Sequence, residues 1–104
     1  MHIQINTDHK LVVHTAFADE LRLLVENGLA HCSEHITRVE VHLSEEHDSR
    51  RCLLEARLEG RQPLAVSESG QSLQQAVGGA AGKLSRLISH TLGRATRATD
   101  ADLP

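Results

Sequence analysis

The sequence predicts an α+β fold of order β-α-β-β-β-α: a four-stranded mixed sheet with two helices packed on one face. Three observations lead there. Residues 37–44 and 51–58 alternate apolar and polar side chains as half-buried strands do, and residues 16–33 and 73–91 repeat their apolar residues every three or four positions. The two helical stripes and the apolar strand faces are all satisfied by one sheet carrying both helices on the same side.

The first strand is read from His2 to Asn6, with Ile3 and Ile5 on one side. Thr15 is placed to cap helix one, from Ala16 to Ser33, whose buried stripe is Phe17, Leu21, Leu24, Val25, Leu29 and Cys32. Asp19 and Glu20 lie near the positive end of its dipole. Strand two, Thr37 to Ser44, turns Val39, Val41 and Leu43 one way and Arg38, Glu40 and His42 the other. The polar run Glu45 to Ser49 is read as a hairpin loop, and Cys52, Leu54, Ala56 and Leu58 form the inner face of strand three. Gly60 marks a tight turn into a short peripheral strand near Leu64 to Ser67, with Pro63 at its entry. Ser72 and Gln75 have capping-box spacing ahead of helix two, whose stripe is Leu73, Val77, Ala80, Leu84, Leu87, Ile88 and Thr91 and which is read to stop near Gly93. One domain is expected over residues 1–93, followed by a short polar tail, 94–104.

With 104 residues, the chain suits one domain that buries about two-thirds of its unfolded surface. Its core is almost wholly aliphatic, since Phe17 is the only aromatic residue. No Tyr or Trp platform exists for stacking unpaired bases, so any nucleic-acid binding must lean on charge. Cys32 and Cys52 show neither paired nor framework spacing and read as reduced thiols of a cytoplasmic protein, a single bridge between them being the alternative. No run approaches the ~18 apolar residues of a membrane span, and the N-terminus has no secretory pattern.

The net charge of −3 conceals an uneven distribution. Residues 1–68 hold seven Lys or Arg against twelve Asp or Glu, whereas residues 69–99 hold Lys83, Arg86, Arg94 and Arg97 and no acid. On a helix, Lys83, Arg86, His90, Arg94 and Arg97 fall within a sector of roughly 80° beside the apolar face. Such a ridge matches a phosphate backbone, because each cation displaces a condensed counterion. It equally matches the solvated side of any helix with cations toward its C-terminal end. Gly78, Gly79 and Gly82 weaken the same helix by about 1 kcal/mol each, which either the packed face offsets or the close approach of another backbone explains.

His31 and His35 have a four-residue spacing that metal ligands also use, but no second pair stands at a fixed distance, and no metal or other cofactor is expected. Nothing resembles a phosphate loop, a nucleophile elbow or a zinc-hydrolase helix, so no enzyme is expected. The acidic run Glu45, Glu46 and Asp48 reads as solvated loop.

Three strings resemble the ribosome hibernation promoting factor and ribosome-associated inhibitor family, also called sigma-54 modulation proteins. They are Met1-His2-Ile3-Gln4-Ile5-Asn6, His35-Ile36-Thr37-Arg38-Val39-Glu40-Val41-His42-Leu43, and Gly70-Gln71-Ser72-Leu73 through Ala76-Val77 to Lys83-Leu84-Ser85-Arg86-Leu87. The resemblance implies a protein without cofactor or turnover that binds the small ribosomal subunit in the messenger and transfer RNA channel. It would there contact 16S rRNA and ribosomal proteins, silencing translation in stress or stationary phase. Lys83 and Arg86 stand where family members carry basic residues; with His90, Arg94 and Arg97 they are the candidate RNA-binding set, Arg22 and Arg38 being lesser candidates. Helix one departs from the family in having Arg22 alone against Asp19, Glu20, Glu26 and Glu34 where lysines are usual. Ser72 and Leu73 or Gln74 replace the family's Asp and Tyr at the start of helix two, and Gly78 a further acid. The length resembles the short form, without the added dimerisation domain, and a homodimer stays open. The competing expectation is a protein-binding regulator or homo-oligomeric module on the same fold that does not bind ribosomes.

Overall fold

The computed structural model describes residues 1–8 and 11–100, with side chains through Gly93. The elements are β1 (His2–Thr7), α1 (Thr15–Gly28), a 3-10 helix (Ala30–His35), β2 (Ile36–Glu46), β3 (Ser49–Leu58), β4 (Leu64–Gly70) and α2 (Leu73–Asp100). The strands lie in sequence order, β1 parallel to β2 and the other neighbours antiparallel. A parallel pair needs a long crossover, and α1 supplies it. The α+β class, the element order and the mixed four-stranded sheet are those the sequence predicts.

The inner sheet face is built by register. Ile3 lies beside Val39, which faces Ala56; Val41 faces Leu54, and Leu43 faces Cys52. These side chains meet Leu21 and Val25 of α1 and Ala76, Val77, Ala80, Ala81, Leu84 and Ile88 of α2 in one aliphatic core. At β2's start, Ile36 and Val39 are both buried although three apart, which plain alternation forbids. A register shift between Ile36 and Arg38 resolves this, and the Thr37 hydroxyl donates to the Arg57 carbonyl at 3.1 Å across the irregularity.

Several boundaries differ from the sequence expectation for local reasons. Helix one ends at Gly28, and Leu29 and Cys32 are buried instead from the 3-10 helix and its entry; their spacing of three suits three residues per turn. Thr15 is the first helical residue rather than the cap, and His14 at the cap position makes no side-chain capping bond. The expected five-residue hairpin loop is a two-residue turn, since Glu46 still pairs with Ser49. His47 takes up the reversal with φ 55°, and Arg50 and Glu45 brace the strands at 3.4 Å. At α2's start the Gln75 amide donates to Ser72 Oγ at 3.1 Å, while Gln75 Oε1 accepts from the Gln71 amide at 2.9 Å. This capping pair closes one residue earlier than the usual box. α2 continues past Gly93 to Asp100. Residues 101–104, the end of the expected polar tail, lie outside the described residues. No helix among them is long and apolar enough to cross a membrane.

The helices touch where side chains vanish. A Cβ built on Gly28 would stand 2.7 Å from the Ala81 Cβ, so α1 and α2 meet at Gly28 and not at the glycines of α2. Gly78 faces open space, whereas Gly79 leaves room for the Glu68 side chain reaching over from β4. Gly28→Ala is therefore expected to lower the unfolding free energy by about 1–3 kcal/mol, and Gly78→Ala to raise it by up to ~1 kcal/mol, both read by denaturant titration.

Burial pushes the Cys52 thiol from 9.0 up to about 12. The folded chain therefore keeps a proton that the unfolded chain releases above about pH 9. Stability is expected to be full below that pH and to decline toward pH 12 at about 1.4 kcal/mol per unit. A Cys52→Ala chain, less stable throughout, should lose that component of the slope in a pH series of denaturation curves.

Candidate nucleic-acid interface

The inward stripe of α2 fixes what its outer side carries. Lys83, Arg86 and His90 are exposed there, and no carboxylate interrupts residues 69–99. Their surroundings differ. Lys83 Nζ donates to the Ser67 carbonyl at 3.0 Å and stands 3.7 Å from Glu68 Oε2, the carboxylate admitted by Gly79. It is thus a clip between α2 and the edge strand β4, and a neighbouring acid offsets its charge. Arg86 has no such partner: no ion pair involves it among the described residues. The backbone of Arg94 and Arg97 continues the helix, and their side chains lie outside the described residues.

The lesser candidates are elsewhere. Arg22 on α1 is bound to Asp19 at 2.7 Å, one turn back on the same helix. Arg38 projects from the sheet face opposite the helices, donating to Gln4 Oε1 and standing 3.7 Å from Glu40. The seven residues singled out by sequence are therefore not one patch. Lys83, Arg86 and His90 share the exposed side of α2, Arg22 is on the neighbouring helix, and Arg38 is on the far side of the sheet.

The structure adds residues that the sequence reading missed. An open groove of about 440 Å³ runs along the outer side of α2 and is lined by His31, Ser85, Arg86, Ser89, His90 and Gly93. His31 reaches it from the 3-10 helix, its Nε2 lying 3.1 Å from Ser85 Oγ and 3.3 Å from Ser89 Oγ. Ser85, 7% exposed, is the one polar side chain that is buried among the described residues. The sequence placed His31 with His35, yet His35 stands beside Glu34 at 3.6 Å instead. Serines four apart beside Arg86 and His90 were the available signal, but nothing local ties His31 to them.

Other chemistry finds little to build on. No three of His, Cys, Asp and Glu gather as a metal site among the described residues. Cys32 and Cys52 are buried, and desolvation raises both thiols, the opposite of what a nucleophile requires. Among the described residues, no carboxylate lines the groove to orient the His31 imidazole as a base for Ser85. A second groove of about 420 Å³, between Asn6, His42, Arg51 and Leu53 on the uncovered sheet face, includes Asp8.

Two solved structures share the fold. One, a ribosomal subunit interface protein from Coxiella burnetii, superposes with a TM-score of 0.73 at 18% identity, covering 89% of this chain and 99% of that one. The other, the N-terminal domain of Thermus thermophilus Protein Y, gives 0.69 at 22% identity, covering 88% and 99%. No curated protein matches at the sequence level. Residues 12–96 match the family described as sigma 54 modulation protein / S30EA ribosomal protein. With the match spanning most of its length, and α1, strands β2 to β4 and all but the last turn of α2 inside it, the chain belongs to that family.

Proposed function

We propose that this protein is a non-enzymatic, cytoplasmic translation silencer that docks on the small ribosomal subunit. In this reading it occupies the channel of messenger and transfer RNA, against 16S rRNA, during stress or stationary phase. The observation that carries the reading is the outer side of α2 in a chain of this family. There Arg86 and His90 stand exposed on a carboxylate-free segment, with Arg94 and Arg97 following on the same helix. A rigid helix holding cations in register suits a phosphate backbone, and the near absence of aromatic residues leaves base stacking no part. Net charge −3 restricts this attraction to one side of the molecule and disfavours indiscriminate polyanion binding.

A second reading has its own support. The outer side of α1 carries Glu20 and Glu26 with Leu23, which is 56% exposed, and its one cation is taken by Asp19. A protein-binding module would use such a face, and a pull-down enriched in one protein without ribosomal RNA would favour it over docking on the ribosome.

The docking reading is tested by co-sedimentation with purified small subunits across a salt series. Association is expected at low salt and should fall steeply between about 50 and 200 mM, whereas no association at the lowest salt would remove the reading.

Arg86 and Lys83 should separate in the same assay. Arg86→Glu is expected to weaken association about tenfold or more, and Lys83→Gln by clearly less, because the lysine is already engaged by Glu68 and the Ser67 carbonyl.

A further inference from the structure

We propose that the groove between the 3-10 helix and the outer side of α2 is a socket for a single phosphate group, contributed in the docked state by one phosphodiester of an RNA backbone. The proposal deepens the reading of the chain as an RNA-docking protein and rests on it for the source of the phosphate.

The lining is a set of hydrogen-bond donors. Arg86 contributes a guanidinium, His31 and His90 contribute imidazoles, and Ser85 and Ser89 contribute hydroxyls, with no carboxylate among the described lining residues. The contact of His31 with the serines leaves donor capacity over in either tautomer. One ring nitrogen faces two hydroxyls at 3.1 and 3.3 Å. If Nε2 lacks a proton, it accepts from one hydroxyl, and the other keeps its proton for another acceptor. If Nε2 is protonated, it donates toward the serines, and both hydroxyl protons are free. An acceptor entering the groove therefore meets a hydroxyl, an imidazole and a guanidinium together.

Phosphate fits these donors better than other acceptors. Its several oxygens accept from different directions at once, and a guanidinium pairs with two of them in parallel. A phosphodiester fits better than a free ion because the groove is open along the helix and, at about 440 Å³, leaves room for the flanking sugars. Gly93 at one end and Gly82, whose added Cβ would meet only Arg86 Nη1 at 3.6 Å, keep the helix surface low beside it. Recognition should be indifferent to base identity, since Phe17, the only aromatic residue, is not in the lining.

The test has two arms, both on the full chain. In the first, inorganic phosphate is titrated into the protein while the His31 and His90 ring resonances and the Arg86 Nε–H are followed by NMR, with sodium chloride at matched ionic strength as control. Saturable shifts are expected with phosphate only, and a drift equal in both salts would overturn the socket. In the second, His31→Gln and Ser89→Ala, at exposed positions that spare the core, are compared with the unaltered chain in the small-subunit salt series. Each is expected to weaken association about tenfold, with the salt slope little changed because neither substitution removes the Arg86 cation. Steep salt-dependent association unchanged by both substitutions would sink the socket and leave the docking role standing. Saturable phosphate binding without any association with subunits would overturn the RNA source and the docking role together, leaving a site for free phosphate.

Discussion

Burial of the aliphatic stripe of α2 is the constraint on which the rest of the structure depends. Ala76, Val77, Ala80, Ala81, Leu84 and Ile88 are all essentially inaccessible, pressed between the sheet and α1. Each small residue lets the backbones approach, and each branched one fills the space between them, as interiors packed like organic crystals require. With the roll of α2 about its axis settled in this way, Lys83, Arg86 and His90 have only the outward side to occupy. A cationic surface is thus a by-product of apolar packing, needing no device of its own to aim it.

The same packing explains the division of labour among the cations. Where α2 passes over the edge strand, Gly79 admits Glu68, and Lys83 is drawn into a clip with that carboxylate and the Ser67 carbonyl. An exposed pair of this kind is worth at most about 1 kcal/mol, but it also covers part of an otherwise open strand edge. On the other flank, α1 gives way to the 3-10 helix, which brings His31 against Ser85 and Ser89. Between the clip and the histidine, Arg86 has no acid partner among the described residues. One side of the helix serves the fold, and its middle stays exposed.

The two faces of the molecule are chemically unlike. The helical side presents the surface of α2, free of its own carboxylates as far as Gly93, next to the acidic outer side of α1, so a polyanion approaching it meets attraction and repulsion a short way apart. The uncovered sheet face mixes Arg38, Arg51 and Arg57 with Glu40 and Glu55. It lacks the uniform sign that a phosphate backbone favours. Orientation on a partner would accordingly be specified by charge, since the one Phe, Phe17, packs against the core.

By itself the sequence determined the elements and their sides. Alternation along β2 and β3 and the helical period of α2 depend on neighbours a few residues apart, so Val39, Val41, Leu54, Ala56, Val77 and Leu84 could be assigned to the core directly. The acid-free segment over residues 69–99 was equally plain. Tertiary structure alone decided the partners. The contacts of His31 with Ser85 and Ser89 span 54 and 58 residues, Glu68 meets Lys83 from another element, and Gly28 meets Ala81 across two helices. It also brought Arg38 against Gln4 of the neighbouring strand and replaced the last turn of helix one with a 3-10 helix. Period and composition are written in local sequence, whereas which side chains finally touch depends on how the elements pack, and no local pattern records that.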